Sequence, residues 1–173
     1  MKDYFEKILQ AQVYEVAKKT PLEKAKNLSR RLRNNIYLKR EDLQEVYSFK
    51  IRGAYNKMRL LTKDQLKRGV IASSAGNHAQ GVALSALRLN TNATIVMPLT
   101  TPLVKVNAVK ELQAEVILFG ENYDDSHTEA LRLSKDRELS FIHPFDDIDV
   151  IAGQGTIGME IISQLTDPPN SVY

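Results

Sequence analysis

Between Val70 and Ile142 the chain alternates short apolar runs with stretches of helical period, and this alternation limits the possible folds more than any other feature. The apolar runs are Val70–Ser73, Ala93–Met97, Glu115–Phe119 and Ser140–Ile142, with helical stretches at 77–89, 102–113 and 124–137 between them. In the first of these helices Ala79, Val82, Ala83, Ala86 and Leu87 recur on one face. Strand, helix, strand, helix is the pattern of βαβ units, which build a parallel sheet with helices packed on it. The expected class is therefore α/β. Ligands in such sheets bind beyond the carboxyl ends of the strands, and Ser74–Asn77 lies at one such end, directly before a helix.

The flanks read differently. Phe5, Ile8, Leu9, Val13 and Val16 recur at helical spacing, which predicts a helix over residues 3–18 that ends before Pro21. Ile36–Arg40 alternates apolar and polar residues and reads as a strand. From Ala54 the helical period returns through Met58 and Leu61. Gly153-Gln154-Gly155-Thr156-Ile157-Gly158 follows too short an apolar run to be a dinucleotide fingerprint and reads as a helix entry. Residues 167–173 read as a proline-containing loop leading into a new strand.

Composition excludes several function classes. With 43% apolar residues the chain can build a core, so disorder is not expected. Positive charges exceed negative ones by only 3, and no aromatic residues are interleaved with basic ones, so nucleic acid is not an expected partner. No apolar run approaches the ~20 residues a bilayer span needs, and no secretory signal opens the chain, so no membrane partner is expected and the location is read as cytoplasmic. The absence of cysteine removes disulfides and thiolate metal sites. His127 and His143 stand far apart in sequence and are not read as a ligand pair, so no metal site is expected.

Two segments can carry chemistry. Lys50 lies in Tyr47-Ser48-Phe49-Lys50-Ile51-Arg52-Gly53-Ala54. A lysine amine can form an imine with an aldehyde and can later act as a base. Phe49 could pack beside a flat ring, and Gly53 permits a close backbone approach. The plain alternatives are a solvated cation and a helix-entry glycine. The second segment, Ser74-Ala75-Gly76-Asn77-His78, offers small side chains and backbone N–H groups at a helix N-terminus, where anions bind. Its plain alternative is an ordinary N-cap by Ser74 or Asn77. His78, beside a helix start, is read more readily as structural than as a base. Together the segments have the layout of a pyridoxal-phosphate site, in which the cofactor carries most of the chemistry and the protein orients it.

Leu38-Lys39-Arg40-Glu41-Asp42-Leu43, Ser48-Phe49-Lys50-Ile51-Arg52-Gly53-Ala54-Tyr55 and Ala75-Gly76-Asn77-His78-Ala79-Gln80-Gly81-Val82-Ala83 resemble the threonine dehydratase (threonine ammonia-lyase) family, of the tryptophan-synthase-β-like pyridoxal-phosphate enzymes. Val96-Met97-Pro98, Lys105-Val106 and Val150-Ile151-Ala152-Gly153-Gln154-Gly155-Thr156 match as well, and Val13-Tyr14-Glu15 with Thr20-Pro21-Leu22 resembles the biosynthetic bacterial type. The resemblance implies a two-domain fold type II enzyme. Residues 1–53 would belong to the large cofactor domain, 54–150 would form a small α/β domain, and 151–173 would begin the rest of the large domain. It implies pyridoxal 5'-phosphate as cofactor, Lys50 as the Schiff-base lysine, Phe49 and Asn77 at the cofactor, and Ser74, Ala75, Gly76, Asn77 and His78 around the substrate carboxylate. The implied reaction is β-elimination of L-threonine to 2-oxobutanoate and ammonia, which opens isoleucine synthesis, in a homo-oligomer when full length.

The family's glycine-rich phosphate loop, the residue facing the pyridine nitrogen and the regulatory domain have no match and would follow Tyr173. The implied activity is thus that of the whole enzyme rather than of these 173 residues alone. The same chemistry would serve a catabolic dehydratase acting on serine or threonine. A racemase of this group usually carries serine where Ala75 stands. A non-catalytic α/β module without cofactor is the alternative from another class.

Overall fold

The computed structural model describes residues 2–173, with side chains from Tyr4 onward. Its centre is a sheet of four strands, β3 (Val70–Ser73), β4 (Ala93–Met97), β5 (Glu115–Leu118) and β6 (Ser140–Phe141). All neighbours are parallel, in the order β5-β4-β3-β6, as the alternation predicts. Every residue of β3 and β4 is buried, which is how a strand covered on both faces must look.

The two faces of the sheet divide by period two. Val70 and Ala72 of β3, with Ile95 and Met97 of β4, pack against Ala79, Val82, Ala83 and Ala86 of α5 (Asn77–Leu89) and Val106 and Val109 of α6 (Leu103–Glu111). Ala54 and Met58 of α3 (Lys50–Arg59) close that same core. Ile71 and Val96 point the other way, onto Ala130 and Leu133 of α7 (Tyr123–Asp136). A short helix, α4 (Lys63–Arg68), precedes β3 and starts at a capping box formed by Thr62 and Gln65.

Outside α3 lies α8 (Ile148–Gln164), started by the Asp147 carboxylate, which accepts the Asp149 and Val150 N–H groups. Against α8 packs α1 (Lys2–Gln10). A small antiparallel pair, β1 (Leu22–Lys24) and β2 (Tyr37–Lys39), carries α2 (Lys26–Leu32) between its strands.

The helix expected over 3–18 stops at Gln10. Beyond it the Gln12 N–H goes to the Asn56 side chain, and Val13 and Ala17 turn into a separate cluster with Val46, Ile51 and Leu84. One helical-looking run of apolar residues thus serves two surfaces. The helix expected from Ala54 starts earlier, at Lys50. Gly153–Gly158 is not a helix entry but the middle of α8. Residues 165–173 form no strand. Of the apolar residues in the terminal helices, Ile8, Ile157 and Ile161 are half-buried, with Ile8 against Gly155, while Phe5, Leu9 and Ile162 are exposed. The divisions at 53/54 and 150/151 run through α3 and α8.

The close approach that Gly53 permits is to α8. A Cβ on Gly153 would lie 2.5 Å from the Arg52 carbonyl oxygen and 2.7 Å from Gly53 Cα, and one on Gly53 would lie 2.8 Å from the Val150 carbonyl oxygen. The helices cross backbone to backbone at Gly153, where the nearest atoms are all backbone, while at Gly53 the Gln154 side chain also crowds the position. Gly153→Ala is expected to destabilise the chain by roughly 1–3 kcal/mol, the range of core overpacking. Urea denaturation should show this as a lower midpoint at unchanged slope.

Candidate active site

The order β5-β4-β3-β6 contains a switch point. From β3 the chain moves outward to β4 and β5, then returns to the other side of β3 as β6. The crevice of such a sheet opens where the order reverses, beyond the carboxyl ends of β3 and β6. The segments at that point are 74–77 and 142–146.

Lys50, the first residue of α3, reaches this crevice from the side. Ser48 Oγ accepts the Lys50 N–H at 3.2 Å, which helps start the helix. Gly81 of α5 lets that helix start come close, because a Cβ there would lie 3.1 Å from the Lys50 carbonyl carbon and oxygen. The Lys50 side chain is half-buried, and Nζ donates to the Pro144 carbonyl at 2.7 Å. Nζ also sits 5.5 Å from the centre of the Phe49 ring. Burial lowers the amine's pKa below the ordinary lysine value, which favours the neutral form that can attack a carbonyl or accept a proton.

The loop 74–77 forms the floor. Ser74 N–H completes a sheet bond to Val96 O, and Ser74 Oγ accepts the Gly76 N–H at 3.2 Å. The residue capping α5 is Gly76, without a side-chain cap, so neither Ser74 nor Asn77 serves as the conventional N-cap. A Cβ on Gly76 would meet nothing within 4 Å, so open space lies beside the loop. Ala75 is half-buried and Asn77 is exposed.

His78 points inward. Its Nε2 donates to the Ile142 carbonyl at 2.9 Å, which fixes the tautomer and leaves Nδ1 as an unpaired buried acceptor. Burial pushes its pKa down to about 4, with Lys50 and His143 adding to the fall against the carbonyl bond. The imidazole thus ties the start of α5 to the segment that follows β6.

The second wall, 142–146, carries none of the motifs described above. Its signal was available: it follows a strand end, as Ser74 does, and contains a proline. It also brings His127 and His143 together, with ring centroids 6.4 Å apart, in a row running through Tyr123, His127, Phe141, His143 and Phe145. His143 holds backbone there: its Nδ1 accepts the N–H groups of Asp146 at 2.7 Å and Phe145 at 3.3 Å.

Behind the site runs an ionic network, also unread in the sequence. Arg52 is 0% exposed and donates to both oxygens of Glu41 at 2.8 and 2.9 Å, to Glu160 at 2.7 Å, to Thr156 at 3.1 Å and to the Lys18 carbonyl at 3.0 Å. Lys39 Nζ closes the network on Glu160 at 2.5 Å. Two cations and two carboxylates balance, so α3, α8 and the segment before α3 are locked together two residues from Lys50.

A model of the pyridoxal-phosphate dependent enzymes matches residues 13–173. The chain belongs to that family. Among curated relatives of this pyridoxal-phosphate family, the biosynthetic L-threonine dehydratase of Burkholderia multivorans is 58% identical over 99% of the chain. The biosynthetic chloroplastic threonine dehydratase 1 of Solanum lycopersicum is 56% identical over 99% of it. The chain spans about a third of these proteins, 34% of the first and 28% of the second. Among solved structures, the processed form of threonine deaminase isoform 2 from Solanum lycopersicum superposes with a TM-score of 0.92 at 55% identity, covering 95% of this chain and 46% of that one. Maize serine racemase superposes with a TM-score of 0.88 at 30% identity, covering 92% of this chain and 49% of that one.

The residues of the crevice fit the family's cofactor. They include an amine of lowered proton affinity, an aromatic ring beside it, an exposed amide at Asn77 and open space over Gly76. Among the described residues no helix is long and apolar enough to cross a membrane.

Proposed function

We propose that this chain supplies the catalytic lysine and the carboxylate loop of a pyridoxal-phosphate enzyme that eliminates water from L-threonine, the resulting enamine then taking up water to give 2-oxobutanoate and ammonia. The observation that carries the reading is the meeting of Lys50 with the 74–77 loop at the sheet's switch point, in a chain 50–58% identical to several threonine dehydratases. Bound there, the cofactor supplies an electron sink for the substrate's Cα carbanion.

The chain's own residues do the rest. Lys50 would hold the cofactor through its aldehyde, and the lysine amine would take the proton from the substrate's Cα. The backbone N–H groups at the start of α5, with Ser74, Ala75, Gly76 and Asn77 around them, hold the substrate carboxylate. Orphan N–H groups and the positive end of the helix dipole favour an anion there. The Asn77 amide and the Phe49 ring would help to hold the cofactor. His78 keeps the loop in place through Ile142. In the same reading, residues 54–150 are the small α/β domain, the flanks belong to the cofactor domain, and the enzyme is a cytoplasmic homo-oligomer of isoleucine synthesis.

Gly76→Val tests the loop assignment. The valine side chain would project into open space, so the fold should tolerate it. The bulk would occupy the room beside the carboxylate, and KM for threonine should rise roughly 10-fold or more with a smaller change in kcat, the pattern of lost ground-state binding. Unchanged threonine kinetics would remove the carboxylate from this loop.

A further inference from the structure

Phe145 is 63% exposed. It is nonetheless held firmly. His143 Nδ1 accepts its N–H at 3.3 Å, and the His143 ring stands edge-on to its ring at 4.7 Å. The residue before it, Pro144, gives its carbonyl to Lys50 Nζ at 2.7 Å. That carbonyl belongs to the peptide joining Pro144 to Phe145, so the Phe145 backbone adjoins the group that holds the amine. Phe145 thus belongs to the 142–146 wall, the segment across the crevice from the polar loop 74–77.

We propose that Phe145 is a specificity-determining wall for the substrate's side chain, favouring amino acids with a methyl group on Cβ over those without one. The proposal rests on Lys50 being the amine that serves Cα. An amine about to take the Cα proton sits within roughly 3–3.5 Å of it, so the groups next to that amine face the substituents on Cβ. With the carboxylate on the 74–77 loop, the Cβ side is turned towards 142–146. A methyl group against an apolar wall changes discrimination by roughly 10-fold or more, whereas a substrate lacking it leaves the ring facing a gap.

The test is an equilibrium titration of the cofactor absorbance with L-2-aminobutyrate and L-alanine. These differ by one CH2 group and have no hydroxyl to eliminate, so binding is read without turnover. It is paired with kcat/KM for threonine and serine. Phe145→Ala should lower the preference for 2-aminobutyrate over alanine roughly 10-fold, with a parallel fall in the threonine-to-serine ratio. Phe145→Leu should keep most of both. Unchanged ratios in Phe145→Ala, with cofactor absorbance intact, would overturn the wall. Loss of cofactor in Phe145→Ala would also overturn it, by assigning the ring to the cofactor instead. Failure of the unsubstituted enzyme to respond to either amino acid would strike at the Lys50 reading, not at Phe145.

Discussion

Lys50→Ala is expected to abolish threonine turnover while leaving the fold intact. Loss of a positioned general base alone removes roughly 10²–10⁴-fold in rate. This substitution also removes the covalent anchor, so the combined loss should exceed that range. The visible absorbance of a lysine-bound cofactor should vanish with it. Stability should change little, because the Lys50 side chain is half-buried and gives up one hydrogen bond, to Pro144 O. A melting curve close to that of the unsubstituted protein, together with lost turnover, separates chemistry from folding. Comparable turnover in Lys50→Ala would remove the lysine from the mechanism.

The largest stability effect is expected at Arg52. Arg52→Ala would leave Glu41 and Glu160 facing a buried space with Lys39 as the remaining cation of the network. Breaking a buried ion pair by deleting one partner costs about 3–5 kcal/mol, a large part of a typical domain's ~5–15 kcal/mol. For a chain of this size the melting temperature should fall by roughly 6–20 °C.

The effect should depend on pH. Burial works to raise the Glu160 pKa, but the hydrogen bonds from Arg52, Lys39 and Tyr14 outweigh it, and the carboxyl lies below its ordinary value. A carboxylate with a depressed folded pKa stabilises above its unfolded pKa, about 4.3, and that contribution is lost as pH falls through the folded value. The gap between the unsubstituted protein and Arg52→Ala should therefore be full near neutrality and shrink below about pH 4.3. A gap that did not change with pH would mean that packing of the arginine stem, rather than its charge, carries the effect.

Much of the sheet was legible because its information is local. The bounds of β3, β4 and α5 follow from apolar runs broken by small residues, and the structure places them where the periodicity does. The strand ends also pointed to the 74–77 loop, since the rule that locates ligands in a parallel sheet needs only strand direction.

What stayed hidden depends on partners distant in sequence. Lys50 and Pro144 are 94 residues apart, and Arg52 and Glu160 are 108 apart. Nothing near Glu160 says that its carboxylate will face a buried guanidinium. The crossing of Gly53 with Gly153 is hidden for the same reason, so a glycine run in mid-helix looked like a helix entry. The first helix was overextended because Val13 and Val16 keep helical spacing while facing a different cluster from Ile8. The partner of His78 is equally distant, since the carbonyl that holds it belongs to Ile142, 64 residues away.

Lys50 is the amine proposed to bind the cofactor. Borohydride reduction of the cofactor-loaded enzyme, followed by proteolysis and peptide mapping, tests it most directly. The pyridoxyl label is expected on the peptide carrying Lys50, and on no other lysine in stoichiometric amount. A stoichiometric label on Lys39 or Lys57, with Lys50 unmodified, would contradict the assignment.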